Sequence, residues 1–262
     1  MKIQDFARKK RDAVPISMVT CYDAWSASLI ADTDIDCVLV GDSVAMVVHG
    51  HDTTIPADVP MMTLHTAAVR RGAPEAFIIG DLPFLSFRRG LAAGVDAAAE
   101  LMRAGANAVK LEGAAGNLEL IHHLVESGVP VMGHVGLTPQ SVHQLGGFKV
   151  QGRGDDAAAD LVEQARELER AGCFAVVLEA IPAAVAARAT ADLDIPTIGI
   201  GAGPHVDGQV LVLQDLLGLT TAFKPKFVRT WMDGSTLIRN ALQCYHDDVV
   251  SGAFPNGGES YE

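Results

Sequence analysis

The chain has 262 residues, of which 49% are hydrophobic and only 5% aromatic, and its formal net charge is −12. A chain of this length can bury a sizeable core, and the scarcity of aromatic rings favours close packing of helices on strands through aliphatic side chains. The negative charge argues against a nucleic acid or an anionic membrane as partner, because both attract basic surfaces.

The N-terminal segment MKIQDFARKKRDAVP lacks the apolar stretch of a secretory signal. No apolar run reaches the ~18 residues that a membrane-spanning helix needs. The four cysteines (Cys21, Cys37, Cys173 and Cys244) show no C-x-x-C spacing, which favours free thiols in a reducing compartment over disulfides or a zinc site. We therefore expect a soluble, cytoplasmic protein.

Short β-type runs alternate with helical segments along the whole chain. The predicted strands are PISMVTCYD (15–23), CVLVGDS (37–43), AFIIGDLP (76–83), AVKLEG (108–113), PVMGHVGL (130–137), CFAVVLEAIP (173–182), PTIGIGAG (196–203) and KFVR (226–229). The predicted helices include 59–73, 90–105, 117–128 and 155–172, and several end in Gly, a common helix stop.

This alternation predicts an α/β fold with a parallel sheet. Eight units in roughly 250 residues are typical of a (β/α)8 TIM barrel, here parallel and eight-stranded with an extra C-terminal helix. A doubly wound open sheet is the alternative, but no G-x-G-x-x-G fingerprint follows a strand. We expect one barrel domain over 1–262, with residues 251–262 as a flexible tail.

One predicted connection is unusually long. Residues 138–154, TPQSVHQLGGFKVQGRG, lie between strand 5 and its helix. Loops of this length in a compact domain are usually functional or disordered, so a lid carrying Phe148 and Lys149 and a merely mobile loop both remain open.

Polar side chains interrupt the strands near their carboxyl ends, the edge on which barrel enzymes build active sites. They are Asp42 and Ser43 on strand 2, Asp81 on strand 3, Lys110 and Glu112 on strand 4, His134 on strand 5 and Glu179 on strand 6. Alternation along a strand places Lys110 and Glu112 on the same side. In the same way, it predicts a shared face for Val38, Val40 and Asp42 on strand 2.

Three carboxylates this close repel one another unless a cation is present, and all-oxygen ligands favour Mg²⁺, with Mn²⁺ as the alternative. We expect Asp42 and Asp81 to bind the metal, with Glu112 bound directly or through one water. Each residue alone also has an ordinary structural explanation, such as a helix cap for Asp42 or an ion pair between Lys110 and Glu112. It is the set on consecutive strands that indicates function.

Two further motifs carry less weight. The HGHD sequence (His49, His51 and Asp52) is similar to the paired histidines of metal-dependent amidohydrolase barrels. That interpretation needs further histidines on later strands, and strand 6 offers Glu179 instead. The GIGAG sequence (199–203) is consistent with either a phosphate site or a tight turn.

Several blocks between Met18 and Arg229 resemble the ketopantoate hydroxymethyltransferase family, also called 3-methyl-2-oxobutanoate hydroxymethyltransferase. They are VTCYDAWSA, GDSVAMVVHGHDTT, HTAAVRRGAPEAFIIGDLPFLSF, AVKLEG, GHVGLTPQSVHQLGGFKVQGR, VLEAIP, TIGIGAG and DGQVLVLQDLLGL. The chain departs from the family pattern at Ala45, His49 and His51, and it has Ala114 where a second Gly is usual after KLE.

The resemblance implies a Mg²⁺ enzyme of pantothenate biosynthesis, commonly decameric. It would transfer a hydroxymethyl group from 5,10-methylenetetrahydrofolate to 3-methyl-2-oxobutanoate through a Mg²⁺-stabilised enolate, giving 2-dehydropantoate (ketopantoate). The resemblance marks Asp42, Asp81 and Glu112 as metal residues and Glu179 as proton acceptor. It also implies that Asp42, Ser43, Asp81 and Lys110 contact the 2-oxo acid and that His134 is a neighbour of this substrate.

Three alternatives remain open at this point. One is another Mg²⁺-enolate barrel of the phosphoenolpyruvate mutase and isocitrate lyase type. Another is an aldolase that uses Lys110 as a Schiff-base nucleophile. The last is a barrel that only binds or scaffolds other molecules.

Overall fold

A closed barrel of eight parallel strands, hydrogen-bonded in sequence order, forms the fold of the described residues. The computed structural model describes residues 1–220 and 225–261. The strands are β1 (Ile16–Thr20), β2 (Cys37–Val40), β3 (Ile78–Asp81), β4 (Ala108–Lys110), β5 (Val131–Gly136), β6 (Ala175–Glu179), β7 (Thr197–Ile200) and β8 (Gly208–Leu211). The predicted (β/α)8 TIM barrel is confirmed.

Helices follow or precede the strands along the chain. They are α1 (Ile3–Arg11), α2 (Ala24–Ala31), α3 (Val44–Val47), α4 (Val59–Gly72), α5 (Leu91–Arg103), α6 (Leu118–Glu126), α7 (Val142–Leu145), α8 (Asp155–Arg170), α9 (Ala183–Asp192), α10 (Leu213–Leu216) and α11 (Gly234–Ser251). Short 3₁₀ turns cover Pro139–Ser141 and Gly257–Glu259. No helix in the described parts of the chain has the length and apolarity needed to cross a membrane.

The chain divides into two compact units. Met1–Val212 contains all eight strands, and Leu213–Glu262 contains α10 and α11. The expected single domain over 1–262 and the flexibility of the tail over 251–262 stay predictions.

The predicted eighth strand is wrong. KFVR (226–229) forms a turn and irregular chain, whereas the strand that pairs with both β1 and β7 is Gly208–Leu211. This four-residue strand contains a Gly and a Gln, residues that do not indicate a buried strand. The Gly is required by packing, because a Cβ at Gly208 would collide with the carbonyl oxygen of Ile16 on the neighbouring strand.

Alternate strand residues fill the barrel interior as one buried cluster. It includes Met18, Cys37, Leu39, Ile79, Ala108, Met132, Ala175, Val177, Ile198 and Val210. Side chains alternate along each strand, so the residues two positions after these inward ones also point inward. At the carboxyl ends of the strands they are Asp81, Lys110, His134 and Glu179.

The predicted face of β2 is wrong. The inward residues of this strand are Cys37 and Leu39, so Val38 and Val40 point the other way. Asp42 does not continue the alternation, because β2 ends at Val40 and the chain turns at the next residues.

Helix α1 closes the amino-terminal end of the barrel. Its Phe6 is fully buried, with ring centroids 5.2 Å from Phe77 and 4.9 Å from Phe174, residues that immediately precede β3 and β6. Lys9 forms an ion pair of 2.6 Å with Asp36 on the same unit. The amino-terminal end is therefore sealed, and the carboxyl ends of the strands are left for the polar residues.

The first part of the long connection at 138–154 is structured. It contains the 3₁₀ turn Pro139–Ser141 and helix α7, and Gln140 within the turn is buried. Phe148 is 52% exposed, and whether this later part closes over a ligand stays a prediction.

Candidate active site

Asp42 and Asp81 form a buried carboxylate pair at the ends of β2 and β3. Each side chain belongs to a residue less than 5% exposed, and the backbone N–H of Asp42 donates to Asp81 Oδ2 at 3.1 Å. Burial raises the pKa of both carboxyl groups, and for Asp42 the charges of Asp81 and Glu112 raise it further. The two acids expected to share a cation therefore lie side by side.

Lys110, the last residue of β4, supplies the positive charge of the site. Its Nζ lies 2.9 Å from Asp81 Oδ1, in a pair of which both side chains are buried. Burial lowers the pKa of Lys110, but the three surrounding carboxylates of Asp81, Glu112 and Asp42 outweigh it and raise the pKa. A Schiff-base nucleophile must lose its proton, so this environment disfavours the aldolase alternative.

His134 lies between two glutamates and next to Lys110, whose Nζ is 3.4 Å from His134 Nδ1. Its Nδ1 is 3.6 Å from Glu112 Oε1, and its Nε2 is 3.2 Å from Glu179 Oε2. Burial and the charge of Lys110 lower the pKa of His134, but Glu112 and Glu179 outweigh them and raise it to about 9. The sequence-predicted residues of strands 4, 5 and 6 are thus brought into one chain of contacts.

Ser43 joins the site through a residue that sequence reasoning missed. Tyr22, which follows β1 and is fully buried, shares a hydrogen bond of 2.8 Å between its hydroxyl and Ser43 Oγ. Burial raises the pKa of Tyr22, so the phenol stays protonated. The packing is close: a Cβ at Gly41 would come within 2.9 Å of Ser43 Oγ. The strand-end rule that identified Asp42 also applies to Tyr22 and would have found it.

Gln140 is the second missed residue, and it holds three strand ends together. Its Nε2 donates to Asp42 Oδ2 at 2.8 Å and to the Leu82 carbonyl oxygen at 3.0 Å, and its backbone N–H donates to Glu112 Oε2 at 3.0 Å. The TPQ motif after strand 5 is a turn signal, but only the folded loop shows where its Gln points.

A divalent cation fits the donor set through two carboxylates rather than three. Among the described residues, no three His, Cys, Asp or Glu side chains are arranged as a preformed metal site. Asp42 and Asp81 are nevertheless adjacent, and the buried Oε1 of Glu112 has no hydrogen-bond partner among the residues that the structure describes. Mg²⁺ commonly takes one or two protein carboxylates and fills its other positions with water or substrate. The roles of Asp42, Asp81 and Glu112 as metal residues stay predictions.

Of the residues that depart from the family pattern, His49 is linked to the backbone of Tyr22 through His65. His49 Nε2 is 2.9 Å from Nε2 of His65, whose Nδ1 lies 2.6 Å from the carbonyl oxygen of Tyr22. His51 is exposed, and Ala45 is buried in α3. None of these residues replaces a carboxylate of the site.

Comparison with known proteins decides the family. The sequence model of ketopantoate hydroxymethyltransferase matches residues 1–257. The chain belongs to the ketopantoate hydroxymethyltransferase family. A 3-methyl-2-oxobutanoate hydroxymethyltransferase of Bdellovibrio bacteriovorus is 59% identical over 259 residues, 99% of this chain and 98% of that protein. Relatives of the same name from Coxiella burnetii (54% identical, 98% of this chain and 97% of that one) and Legionella pneumophila strain Paris (53%, the whole of both chains) agree.

Solved structures share the fold of this ketopantoate hydroxymethyltransferase family member. They include 2,3-dimethylmalate lyase, a phosphoenolpyruvate mutase/isocitrate lyase superfamily member, with a TM-score of 0.62 and 13% identity over 99% of this chain and 91% of that one. Phosphonopyruvate hydrolase gives a TM-score of 0.64 at 11% identity over 99% and 93%. At these identities the likeness shows the barrel fold alone, so the family match favours hydroxymethyl transfer over the lyase alternative.

Proposed function

We propose that this chain transfers a hydroxymethyl group from 5,10-methylenetetrahydrofolate to 3-methyl-2-oxobutanoate, giving ketopantoate in pantothenate biosynthesis. Family membership supports the reaction type and the acceptor. One structural observation supports the proposed enolate chemistry. A carboxylate pair with a buried lysine lies on one side of the barrel mouth, and Glu179 reaches the same group of side chains through His134.

In this proposal each residue of the site has a separate role in the reaction. Asp42 and Asp81 would hold Mg²⁺, which when bound acts as a Lewis acid towards the keto and carboxylate oxygens of the 2-oxo acid. Lys110 carries a positive charge close to that position and favours the negative charge that develops when the acceptor loses its C3 proton. Ser43, which shares a hydrogen bond with Tyr22, would offer its hydroxyl to the substrate.

Glu179 takes the C3 proton in this proposal. It is the last residue of β6, and its side chain is 18% exposed, which leaves it accessible to a bound ligand. The contact with His134 Nε2 orients the carboxylate and leaves its second oxygen for the substrate. The resulting enolate carbon then forms a bond to the methylene carbon of the folate. The carbon–nitrogen bonds of that methylene group break, tetrahydrofolate leaves, and water supplies the oxygen of the hydroxymethyl group.

Proton exchange tests this assignment directly. The protein is incubated with 3-methyl-2-oxobutanoate in D₂O with Mg²⁺ or with EDTA, in the absence and presence of tetrahydrofolate, and the C3–H signal is followed by NMR. We expect Mg²⁺-dependent exchange that falls at least about 100-fold in Glu179→Gln, because a general base typically contributes that much.

The matched control is Glu119→Gln, the same chemical change at an exposed position of α6. It should exchange as the wild type does. Exchange that persists undiminished in Glu179→Gln would remove this residue from the role of base. An exchange rate that is the same with EDTA as with Mg²⁺ would show that the proton transfer does not require a metal ion.

We further propose that the chain forms a homo-oligomer. Within its own unit, α11 leaves a stripe of apolar side chains uncovered: Ile238 is 51%, Leu242 64%, Tyr245 59% and Val249 45% exposed. Spacings of four, three and four residues place them on one helix face, and contiguous apolar patches of this kind mark association sites.

A further inference from the structure

The carbonyl group of Tyr22 is held by a histidine from a distant segment. Tyr22 lies between β1 and α2, so its carbonyl oxygen belongs neither to the barrel sheet nor to a helix. His65, on α4, has its Nδ1 2.6 Å from this oxygen. Because a carbonyl oxygen only accepts hydrogen bonds, Nδ1 of His65 carries the hydrogen and acts as the donor. The backbone after β1 is therefore tied to α4 at this residue.

The second ring nitrogen of His65 is occupied as well. His49 Nε2 lies 2.9 Å from His65 Nε2, and the two rings are nearly perpendicular, at 81°. With the hydrogen of neutral His65 on Nδ1, its Nε2 accepts from Nε2 of His49. Both nitrogens of the His65 ring have a partner, and this fixes the orientation of the imidazole.

The side chain of Tyr22 reaches the candidate site. It is fully buried, and its hydroxyl shares the 2.8 Å hydrogen bond with Ser43 Oγ. A tyrosine side chain is a rigid ring with two rotatable bonds, so the position of the backbone largely determines the position of the hydroxyl. One hydrogen bond at the carbonyl group and another at the phenol thus connect α4 with the hydroxyl of Ser43.

We propose that His65 is a positioning residue for the 2-oxo acid: its hydrogen bond to the Tyr22 carbonyl group fixes the phenol that orients the Ser43 hydroxyl. This role rests on the proposed function, in which Ser43 offers its hydroxyl to the acceptor. His65 acts through Tyr22 rather than by contact with the substrate. The orientation of this hydroxyl affects the binding of the acceptor more than the proton transfer, which belongs to Glu179.

Two amide substitutions at His65 separate its contact with Tyr22 from its contact with His49. In His65→Asn the amide nitrogen is as far along the side chain as Nδ1, so a donor to Tyr22 is kept. In His65→Gln the nitrogen is one bond further, at the distance of Nε2, so this donor is lost.

Binding of 3-methyl-2-oxobutanoate in the presence of Mg²⁺ is measured by calorimetry, and kcat by hydroxymethyl transfer at saturating substrate. We expect His65→Gln to raise the Kd about tenfold, the effect of one weakened hydrogen bond to a charged group, with kcat within about twofold of the wild type. His65→Asn should restore the Kd to within about twofold of the wild-type value, because it keeps the bond to Tyr22.

A purely structural role of His65 predicts the opposite order of the two variants. Asn has a lower helix propensity than Gln, so at this position inside α4 His65→Asn should be the less stable variant in urea unfolding. Weaker binding in His65→Asn than in His65→Gln, or equal binding in the two, would overturn the positioning role. His123→Gln, the same change at an exposed position of α6, should match the wild type in Kd and kcat.

Tyr22→Phe tests the second step of the connection, because it removes only the hydroxyl. It should raise the Kd for the 2-oxo acid about tenfold, and adding His65→Gln should raise it no more than about twofold further, since His65 acts through the lost hydroxyl. Effects that multiply to about a hundredfold would show that the two residues act independently and would overturn the positioning role. So would a Kd of Tyr22→Phe equal to that of the wild type.

The wild type distinguishes this role from the proposed function. Binding and turnover of the 2-oxo acid that are insensitive to His65→Gln and Tyr22→Phe overturn the positioning role and leave the function intact. Absence of Mg²⁺-dependent binding of the 2-oxo acid by the wild type overturns the proposed function, and the positioning role with it.

Discussion

Gln140 is a neutral side chain among charged ones, and its contacts decide which carboxylate oxygens remain free. Its amide group donates to one oxygen of Asp42, while its backbone N–H donates to one oxygen of Glu112. Each acid therefore keeps a second oxygen for another partner. In the described part of the chain, that oxygen of Glu112 has no hydrogen-bond partner. Hydrogen bonds of this kind orient metal ligands and tune their affinity.

Replacing Gln140 with Met removes the amide donors and keeps the length of the side chain. We expect Gln140→Met to weaken Mn²⁺ binding about tenfold or more, since the loss of a group that orients a ligand commonly has this effect. The measurement is electron paramagnetic resonance of free Mn²⁺ titrated with protein in the absence of substrate.

Gln144→Met is the control for Mn²⁺ affinity, because Gln144 is exposed on the neighbouring helix α7. It should leave Mn²⁺ binding unchanged. An affinity of Gln140→Met within about twofold of the wild type would show that the hydrogen bond to Asp42 does not position a ligand. No Mn²⁺ binding by the wild type would contradict the metal site itself.

At the scale of elements, the two ends of the barrel have different roles. The carboxyl ends carry the candidate site, and the amino-terminal end is closed by α1. Asp36, just before β2, accepts hydrogen bonds from the backbone N–H and the hydroxyl of Ser17 at 2.9 and 3.1 Å and forms the ion pair with Lys9. One carboxylate thus joins α1, β1 and β2.

Asp36 makes stability depend on pH in a defined direction. Burial raises its pKa, but Lys9 and Ser17 outweigh burial and hold the pKa below the ordinary value of 3.8. A lowered pKa contributes stability above the unfolded value, and that contribution is lost as the pH falls through the folded pKa. We expect Asp36→Asn to lower the free energy of unfolding by about 1 kcal/mol at pH 7.

Urea unfolding between pH 3 and pH 7 measures this effect. The difference between the wild type and Asp36→Asn should shrink as the pH falls below 3.8. Asp34→Asn, an exposed position two residues earlier, should show little change at any pH. A difference for Asp36→Asn that is constant with pH would show that the carboxylate charge is not responsible.

At the scale of the whole molecule, the proposed homo-oligomer would use the uncovered stripe on α11 as its interface. Introducing a charge at its centre with Leu242→Asp should lower the molar mass measured by light scattering after size exclusion, because a charge is costly in an apolar interface.

Asn240→Asp provides the comparison for this experiment. Asn240 is exposed and lies two residues away from Leu242 and from Ile238, on the other side of α11, so it introduces the same charge outside the stripe. Its molar mass should match that of the wild type. A wild type that is monomeric at micromolar concentration would contradict the homo-oligomer, and an unchanged mass for Leu242→Asp would remove α11 from the interface.

The sequence by itself determined the barrel and most of its candidate site. Seven of its β-type runs contain strands of the barrel, and the polar residues at their ends, from Asp42 to Glu179, lie near one another. This works because carboxyl ends of parallel strands meet at one edge and because side chains alternate.

Only the tertiary structure decided the features that depend on contacts between distant segments. Gly208 belongs to a strand because a neighbouring backbone leaves no room for a side chain, and the local sequence does not show this. Asp42 faces the site because the chain turns after β2, against the alternation of the strand. Gln140 lies on a loop, where no repeating pattern fixes the direction of a side chain, so its contacts with the site depend on the distant segments that it touches.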